Sequence, residues 1–479
     1  MINSNIIRSI QDIMRKDAGV DGDAQRISQM SWMIFLKVFD DKEKEAETIN
    51  DHYKSPIPNE LRWRNWAEND EGITGDELLD FVNDKLFKKL KELKIQEGDD
   101  PRKFLIKSVF EDSFNYMKDG TLIRQVINKL NEIDFNKSED RHLFNDIYEK
   151  ILSDLQSAGN AGEFYTPRAV TQFIVDMINP KLGEKILDPA CGTGGFLVCS
   201  IEKIRNHVKT THQREQLQSS IRGIEKKPMP HLLAVTNLIL HDIEIPNIKH
   251  DNSLARNVRD FAAEEKVDVL VTNPPFGGKE IAGIQGNFPA EMRSSETADL
   301  FLVLILYILK EGGRCGLVLP DGSLFGEGVK ARIKEKLLSE CNLHTILKLP
   351  NGVFSPYTGI RTNLLFFTKG EPTKEVWYFE HPLPEGYKTY NKTNPIQIQE
   401  FELEKAWWND RTNKKYGSYC WKVSIKDIEE KGYNLDFKNP NHTDEVQNIS
   451  SVQLIQIMEE SMKKSVALLE RLKEEIKNG

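Results

Sequence analysis

Lys185-Ile-Leu-Asp-Pro-Ala-Cys-Gly-Thr-Gly-Gly-Phe196 is the stretch on which the fold turns. Lys185-Ile-Leu187 reads as a short buried strand, and Gly192, Gly194 and Gly195 then let the backbone come close to a ligand before a helix begins. Strand, glycine loop and helix in that order are the winding unit of α/β domains, whose ligands bind at the carboxyl ends of the strands. A dinucleotide loop of the G-x-G-x-x-G kind needs its third glycine at 197, which is Leu197, so the loop points away from a nicotinamide cofactor. Glu225 ends the next strand candidate, where an acidic side chain can accept both hydroxyls of a ribose. An adenosine-containing cofactor at Asp188, Gly192, Thr193, Gly194 and Glu225 is the expectation.

The neighbouring texture agrees. Ile221-Arg-Gly-Ile224, Val267-Asp-Val-Leu-Val271, Gly316-Leu-Val-Leu319, Thr345-Ile-Leu347 and Leu364-Leu-Phe-Phe367 are further strand candidates, with helical segments between several of them. Residues 151–370 therefore read as an α/β domain with a mostly parallel sheet. Upstream of the loop, Ala161-Gly-Glu-Phe-Tyr-Thr-Pro-Arg168 precedes an amphipathic segment, with Thr166 placed as an N-cap and Pro167 at the first helical position. Capping explains Thr-Pro but leaves Gly162, Glu163, Phe164 and Tyr165 free to wrap a cofactor. His250-Asp-Asn-Ser-Leu254 lies where a third strand should end, and Asp251 or Asn252 is either a turn residue or a contact to an adenine ring.

Asn273-Pro-Pro-Phe276 follows Val271 and suits a planar amine. Such an amine is a poor nucleophile because its lone pair is delocalised into the ring. Fixed acceptors for its two N–H groups favour a pyramidal nitrogen and stabilise developing positive charge. Asn273 supplies an amide oxygen and Pro274 a carbonyl, which Pro275 holds in one direction. Phe276 offers a face for stacking on the target ring. Methyl transfer to an amino group is the chemistry that both motifs together imply.

Ala161 to Arg168, Asp188 to Phe196, Glu225 and Asn273 to Phe276, in that order, resemble the modification (methyltransferase) subunit of type I restriction–modification systems. The resemblance implies a Rossmann-like S-adenosylmethionine-dependent domain that methylates N6 of adenine in double-stranded DNA. It implies that Ala161 to Thr166, the Gly192-Thr-Gly194 loop and Glu225 hold the cofactor, and that Asn273, Pro274 and Phe276 hold the flipped adenine. It also implies partners: a second modification subunit, one specificity subunit, and restriction subunits in the full nuclease. Many relatives of the broader class carry Tyr after the prolines. Phe276 keeps the stacking face and lacks the hydroxyl.

The remaining sequence is consistent with an assembly partner. Residues 1–150 read as a helical domain, with Ile6, Ile7, Ile10 and Met14, then Trp32, Phe35, Leu36 and Phe39, at helical spacing. Residues 371–447 form a mixed extension rich in Pro, Asn and Lys. In 448–479, Ile455, Met458, Met462, Leu469, Leu472 and Ile476 follow a three-four spacing, so a C-terminal helix there is either a partner-binding coiled coil or docked on its own domain. Five scattered cysteines without C-x-x-C spacing argue against disulfides or zinc and suit a reducing cytoplasm. The longest apolar run, Ala298 to Leu309, contains Asp299 and is too short to span a bilayer. A net charge of -9 leaves little general attraction for DNA phosphates, so another subunit is expected to share the grip.

Overall fold

The computed structural model describes residues 3–136, 166–355, 358–441 and 462–463. The block Ala161 to Tyr165 and all but two residues of the terminal heptad segment therefore lie outside the described residues.

Among the described residues the N-terminal region has helices and no strands, with α1 (Asn3–Met14), α2 (Asp23–Ile49) and α3 (Pro101–Glu111) among its longer elements. The spacing of Trp32, Phe35, Leu36 and Phe39 places them on one side of α2, and each is at most 4% exposed. The same helix also buries Asp40, Asp41 and Glu43. Buried carboxylates demand partners. Lys37 Nζ reaches Asp41 at 2.5 Å, and Arg64 Nε donates to Asp40 at 2.8 Å.

The sheet has nine strands in the order β3-β2-β1-β4-β5-β7-β6-β8-β9. Their ranges are β1 (Ile186–Asp188), β2 (Ile221–Glu225), β3 (Asn247–His250), β4 (Val267–Thr272), β5 (Leu309–Pro320), β6 (Cys341–Lys348), β7 (Thr362–Lys369), β8 (Glu375–Glu380) and β9 (Cys420–Ser424). β1 to β5 run parallel to one another. β7 then inserts antiparallel between β5 and β6, with Leu317 opposite Leu365 and Ile346 opposite Leu365. The mostly parallel expectation holds, with β7 and β9 as the antiparallel strands. The extension after 370 adds β8 beside β6 and β9 beside β8, so it lengthens the catalytic sheet.

Helices cover the two faces: α4 (Arg168–Ile178), α5 (Gly195–Arg205) and α6 (Pro228–Leu240) on one, and α7 (Thr297–Ile308) on the other. In α6 every residue from Pro230 to Leu240 is buried. A helix apolar on all sides has to be covered on all sides. β2 and β3 cover α6 from the sheet, and α2 covers it from the helical domain. At the rim of this junction, Lys42 pairs with Asp242 at 2.7 Å and His250 approaches Asp112 at 3.4 Å. Exposed pairs of this kind contribute about 0–1 kcal/mol each, so the apolar faces of α2 and α6 carry the docking.

Candidate active site

Parallel pairing brings the ends of β1, β2 and β4 to one edge, and three side chains lock those ends together. Asp188 Oδ1 accepts from the Ala190 N–H at 3.0 Å and from the Thr272 hydroxyl at 2.7 Å. Asp188 is 1% exposed, and its Oδ2 has no partner among the described residues. Burial pushes its carboxyl up to about 7, against the two hydrogen bonds and with help from nearby Glu225. Asp188 thus ties the glycine loop to the strand that leads into Asn273.

The loop itself is shaped by Gly194, which caps α5 at φ 84°, in the left-handed region. A Cβ there would lie 3.2 Å from Leu238 Cδ1 and 3.6 Å from Ala234, so α6 presses directly on the loop. From the same helix, Asn237 Nδ2 donates to the Thr193 carbonyl at 3.1 Å. Glu225 Oε2 accepts from the Gly192 N–H at 2.9 Å, and its Oε1 accepts from the Lys227 N–H at 2.7 Å. Each carboxylate oxygen has a second lone pair, so this half-buried side chain can hold the loop and still accept from a ribose.

Asp251 and Asn252 build the turn after β3. The Asp251 N–H donates to the Glu225 carbonyl at 3.0 Å, Asp251 Oδ1 accepts from the Asn252 N–H at 2.7 Å, and Asn252 Oδ1 accepts from Leu254 N–H at 3.0 Å. The turn is beside the cofactor loop, and the Asp251 side chain is exposed there.

Asn273 follows β4 directly. Its Nδ2 donates to Thr166 Oγ1 at 2.8 Å, and this turns Oδ1 the opposite way. That oxygen is buried and accepts no hydrogen bond among the described residues. An unmet buried acceptor costs about 1–3 kcal/mol, so the position favours a ligand that brings an N–H. The N-cap expectation for Thr166 is corrected by the same bond. Pro167 occupies the cap position, with no side-chain capping bond, and the Thr166 hydroxyl serves Asn273 instead.

Pro274 is buried and Pro275 half-buried. Phe276 is 4% exposed and meets Phe354 edge-on, with ring centroids 6.3 Å apart at 65°. Its ring belongs to the core cluster as well as to the site edge. The following segment, Gly277 to Glu296, is closed at its neck. Thr297 N–H donates to the Gly278 carbonyl at 3.0 Å, Glu280 N–H to the Ser295 carbonyl at 2.8 Å, and Phe288 is buried beneath.

Sequence reasoning missed Thr272, Asn237 and Phe354. Only Thr272 carried a local signal, as a hydroxyl at a strand end beside Asn273. Among the described residues no group of three or more His, Cys, Asp or Glu side chains is placed to hold a metal ion. The glycine loop, the Glu225 carboxylate and the Asn273 oxygen, which meets no donor among the described residues, have the chemistry to take an adenosine cofactor and a planar amine.

This arrangement has relatives. Residues 139–448 match the N-6 DNA methylase family model, and residues 3–130 match the HsdM N-terminal domain. The EcoEI type I restriction enzyme methylase subunit of Escherichia coli is 60% identical over 91% of this chain and 90% of its own length. The chain belongs to the type I restriction-enzyme methylase-subunit family. A modification subunit of a putative type I restriction enzyme from Vibrio vulnificus shares 44% identity and superposes with a TM-score of 0.82, covering 91% of this chain and 96% of that one. A chain from a structural study of type I complex assembly and conformational transition shares 37% identity at a TM-score of 0.80, covering 100% and 98%. The methylase match spans both the cofactor loop and the Asn273 turn. A methyltransferase fold carrying this site is the setting for the chemistry.

Proposed function

We propose that the chain transfers a methyl group from S-adenosylmethionine to N6 of an adenine extruded from double-stranded DNA. It does so as the modification subunit of a type I restriction–modification complex, with a second copy of itself, a specificity subunit and restriction subunits. The observation that carries the reading is Asn273, whose amide nitrogen is spent on Thr166 while its buried oxygen meets no donor among the described residues.

The residues act in concert. Gly192, Thr193, Gly194 and Glu225 hold the cofactor, with Ala161 to Thr166 as its cover and Asp251 or Asn252 beside its adenine. When bound, S-adenosylmethionine supplies a methyl carbon made electrophilic by the adjacent sulfonium. Asn273 Oδ1 accepts one N–H of the target amine, and the Pro274 carbonyl accepts the other. Both acceptors strengthen their hold as positive charge develops on the nitrogen. Phe276 and Phe354 form the aromatic wall, which opens to take a base between or beside the rings. Extrusion is required because N6 is paired and stacked inside a duplex.

All five cysteines are buried and free, which suits a cytoplasmic protein. None of the described helices is long and apolar enough to cross a membrane. The test is transfer of tritiated methyl from the cofactor to duplex DNA, with a specificity subunit present. Label recovered as N6-methyladenine supports the reading. Label in protein or RNA and none in DNA overturns it in favour of a glutamine-amide or ribosomal-guanine substrate.

A further inference from the structure

Away from the cofactor loop, four polar side chains form a cluster inside the extension. His381 and Glu404 side chains are both 0% exposed, and His381 Nδ1 lies 2.5 Å from Glu404 Oε1. His381 Nε2 lies 3.1 Å from the Tyr390 hydroxyl, which donates to Glu400 Oε2. Glu404 sits on α8 (Glu402–Asn409), and His381 follows β8 at the carboxyl edge of the sheet. Burying a carboxylate costs several kcal/mol even when it is paired, and apolar residues would fill the same space more cheaply. A single imposed geometry is what such a cluster offers in return.

Two routes of contact lead from the cluster toward Asn273 and Phe276. On the first, the Tyr390 backbone rests on the turn that carries Phe354. The Tyr390 N–H donates to the Asn351 carbonyl at 3.3 Å, and Thr389 Oγ1 donates to the same carbonyl at 2.9 Å. Gly352 is at φ 81°, and a Cβ there would lie 2.0 Å from the Tyr390 carbonyl oxygen, so only glycine permits the contact. Two residues on, Phe354 packs on Phe276. On the second route, the His381 ring lies 4.9 Å from Phe401, which stacks on Phe173 at 4.4 Å and 14°. Phe173 belongs to α4, the helix that begins just after Thr166, the residue that orients Asn273.

We propose that His381, Glu404, Tyr390 and Glu400 are positioning residues that set the Phe354 wall of the base site, acting through the Asn351–Gly352 turn. The inference rests on the adenine reading above. Tyr390→Phe removes one hydroxyl and keeps the ring. In the full chain with its specificity subunit, its kcat for methylation falls about tenfold or more, since sub-ångström misplacement at a reacting centre has effects of that order. Cofactor affinity stays within about twofold, because Tyr390 touches no part of the cofactor loop. Phe354→Ala lowers kcat by itself, and adding Tyr390→Phe lowers it no further, since the hydroxyl acts through that ring. An unchanged kcat for Tyr390→Phe, or the full loss repeated on the Phe354→Ala background, overturns the proposal. A second readout is independent of activity. With para-fluorophenylalanine at 354, fluorine NMR gives one sharp resonance in the parent chain, and that resonance shifts or splits on Tyr390→Phe. An unchanged resonance sinks the positioning role whatever the chain methylates. A parent chain that leaves DNA unlabelled sinks only the adenine reading. If Tyr390→Phe does not fold, His381→Gln takes its place in both measurements.

Discussion

A single hydrogen bond, from Asn273 Nδ2 to Thr166 Oγ1, fixes which way the Asn273 amide oxygen points. Both residues stood out in the sequence, yet their bond spans 107 positions and Thr166 read locally as a cap. Local capping rules could not see a partner brought in by the sheet. Thr166→Val leaves the Asn273 amide without its orienting acceptor. Methylation by that variant is expected to fall about 10- to 100-fold, well beyond any accompanying loss of cofactor affinity. Asn273→Ala removes the acceptor itself, and a loss of about 100- to 1,000-fold follows if it acts as an electrostatic stabiliser. Filter-binding and methyl-transfer assays on the same preparations separate the two effects, and a variant at parental rate would refute the amine site. Asp188 adds a pH signature. Its folded-state value of about 7 lies above the usual carboxylate value of about 4, so the fold binds this proton more tightly than the unfolded chain does. Its contribution to stability is therefore present at low pH, fades as pH rises between about 4 and about 7, and is constant above that. Asp188→Asn should flatten that stretch of the melting-temperature curve, and a curve still sloping as in the parent would place the titration elsewhere.

Among elements, the strands that were legible are those with dense apolar runs, β1, β2, β4, β5, β6 and β7. β3 offers one inward residue, Ile248, between polar neighbours at the sheet's edge, so only its end at His250 could be placed. β8 has Val376, Tyr378 and Phe379 fully buried, but six residues show no direction without the partner they pair with. The antiparallel insertion of β7 was invisible for the same reason: order along the chain does not reveal order in the sheet. The glycine loop was legible because its conformation is written into its residue types. At Gly194 an alanine meets a left-handed backbone, at about 1–2 kcal/mol, and side chains of α6 besides. Gly194→Ala should therefore lower the melting temperature by a few degrees and weaken cofactor binding about tenfold or more, in proportion to the loop's displacement. Calorimetric titration with the cofactor checks this, and parental affinity would show that α6 does not set the loop.

For the whole molecule, the decisive feature is what the sheet uses up. The extension after 370, the other place for a reader of base sequence, adds β8 and β9 to the sheet, with α8 between them in the chain. Among the described residues no further module remains to read base edges. The helical domain is committed in turn, since the apolar face of α2 is spent on α6. With a net charge of -9, unaided capture of duplex DNA lacks the phosphate contacts that dominate such affinity. The chain alone is therefore expected to methylate duplex DNA at less than about 1% of its rate with a specificity subunit, a gap equivalent to about 3 kcal/mol of binding and positioning supplied by the partner. With that subunit present, affinity for DNA should fall steeply between about 50 and 200 mM salt, because the added phosphate contacts release counterions. Titrating the specificity subunit against a fixed amount of chain, with methyl transfer as the readout, should give activity that rises to a plateau at a fixed ratio of the two. Site-specific methylation by the chain alone at a comparable rate would mean that the reader lies within these residues after all.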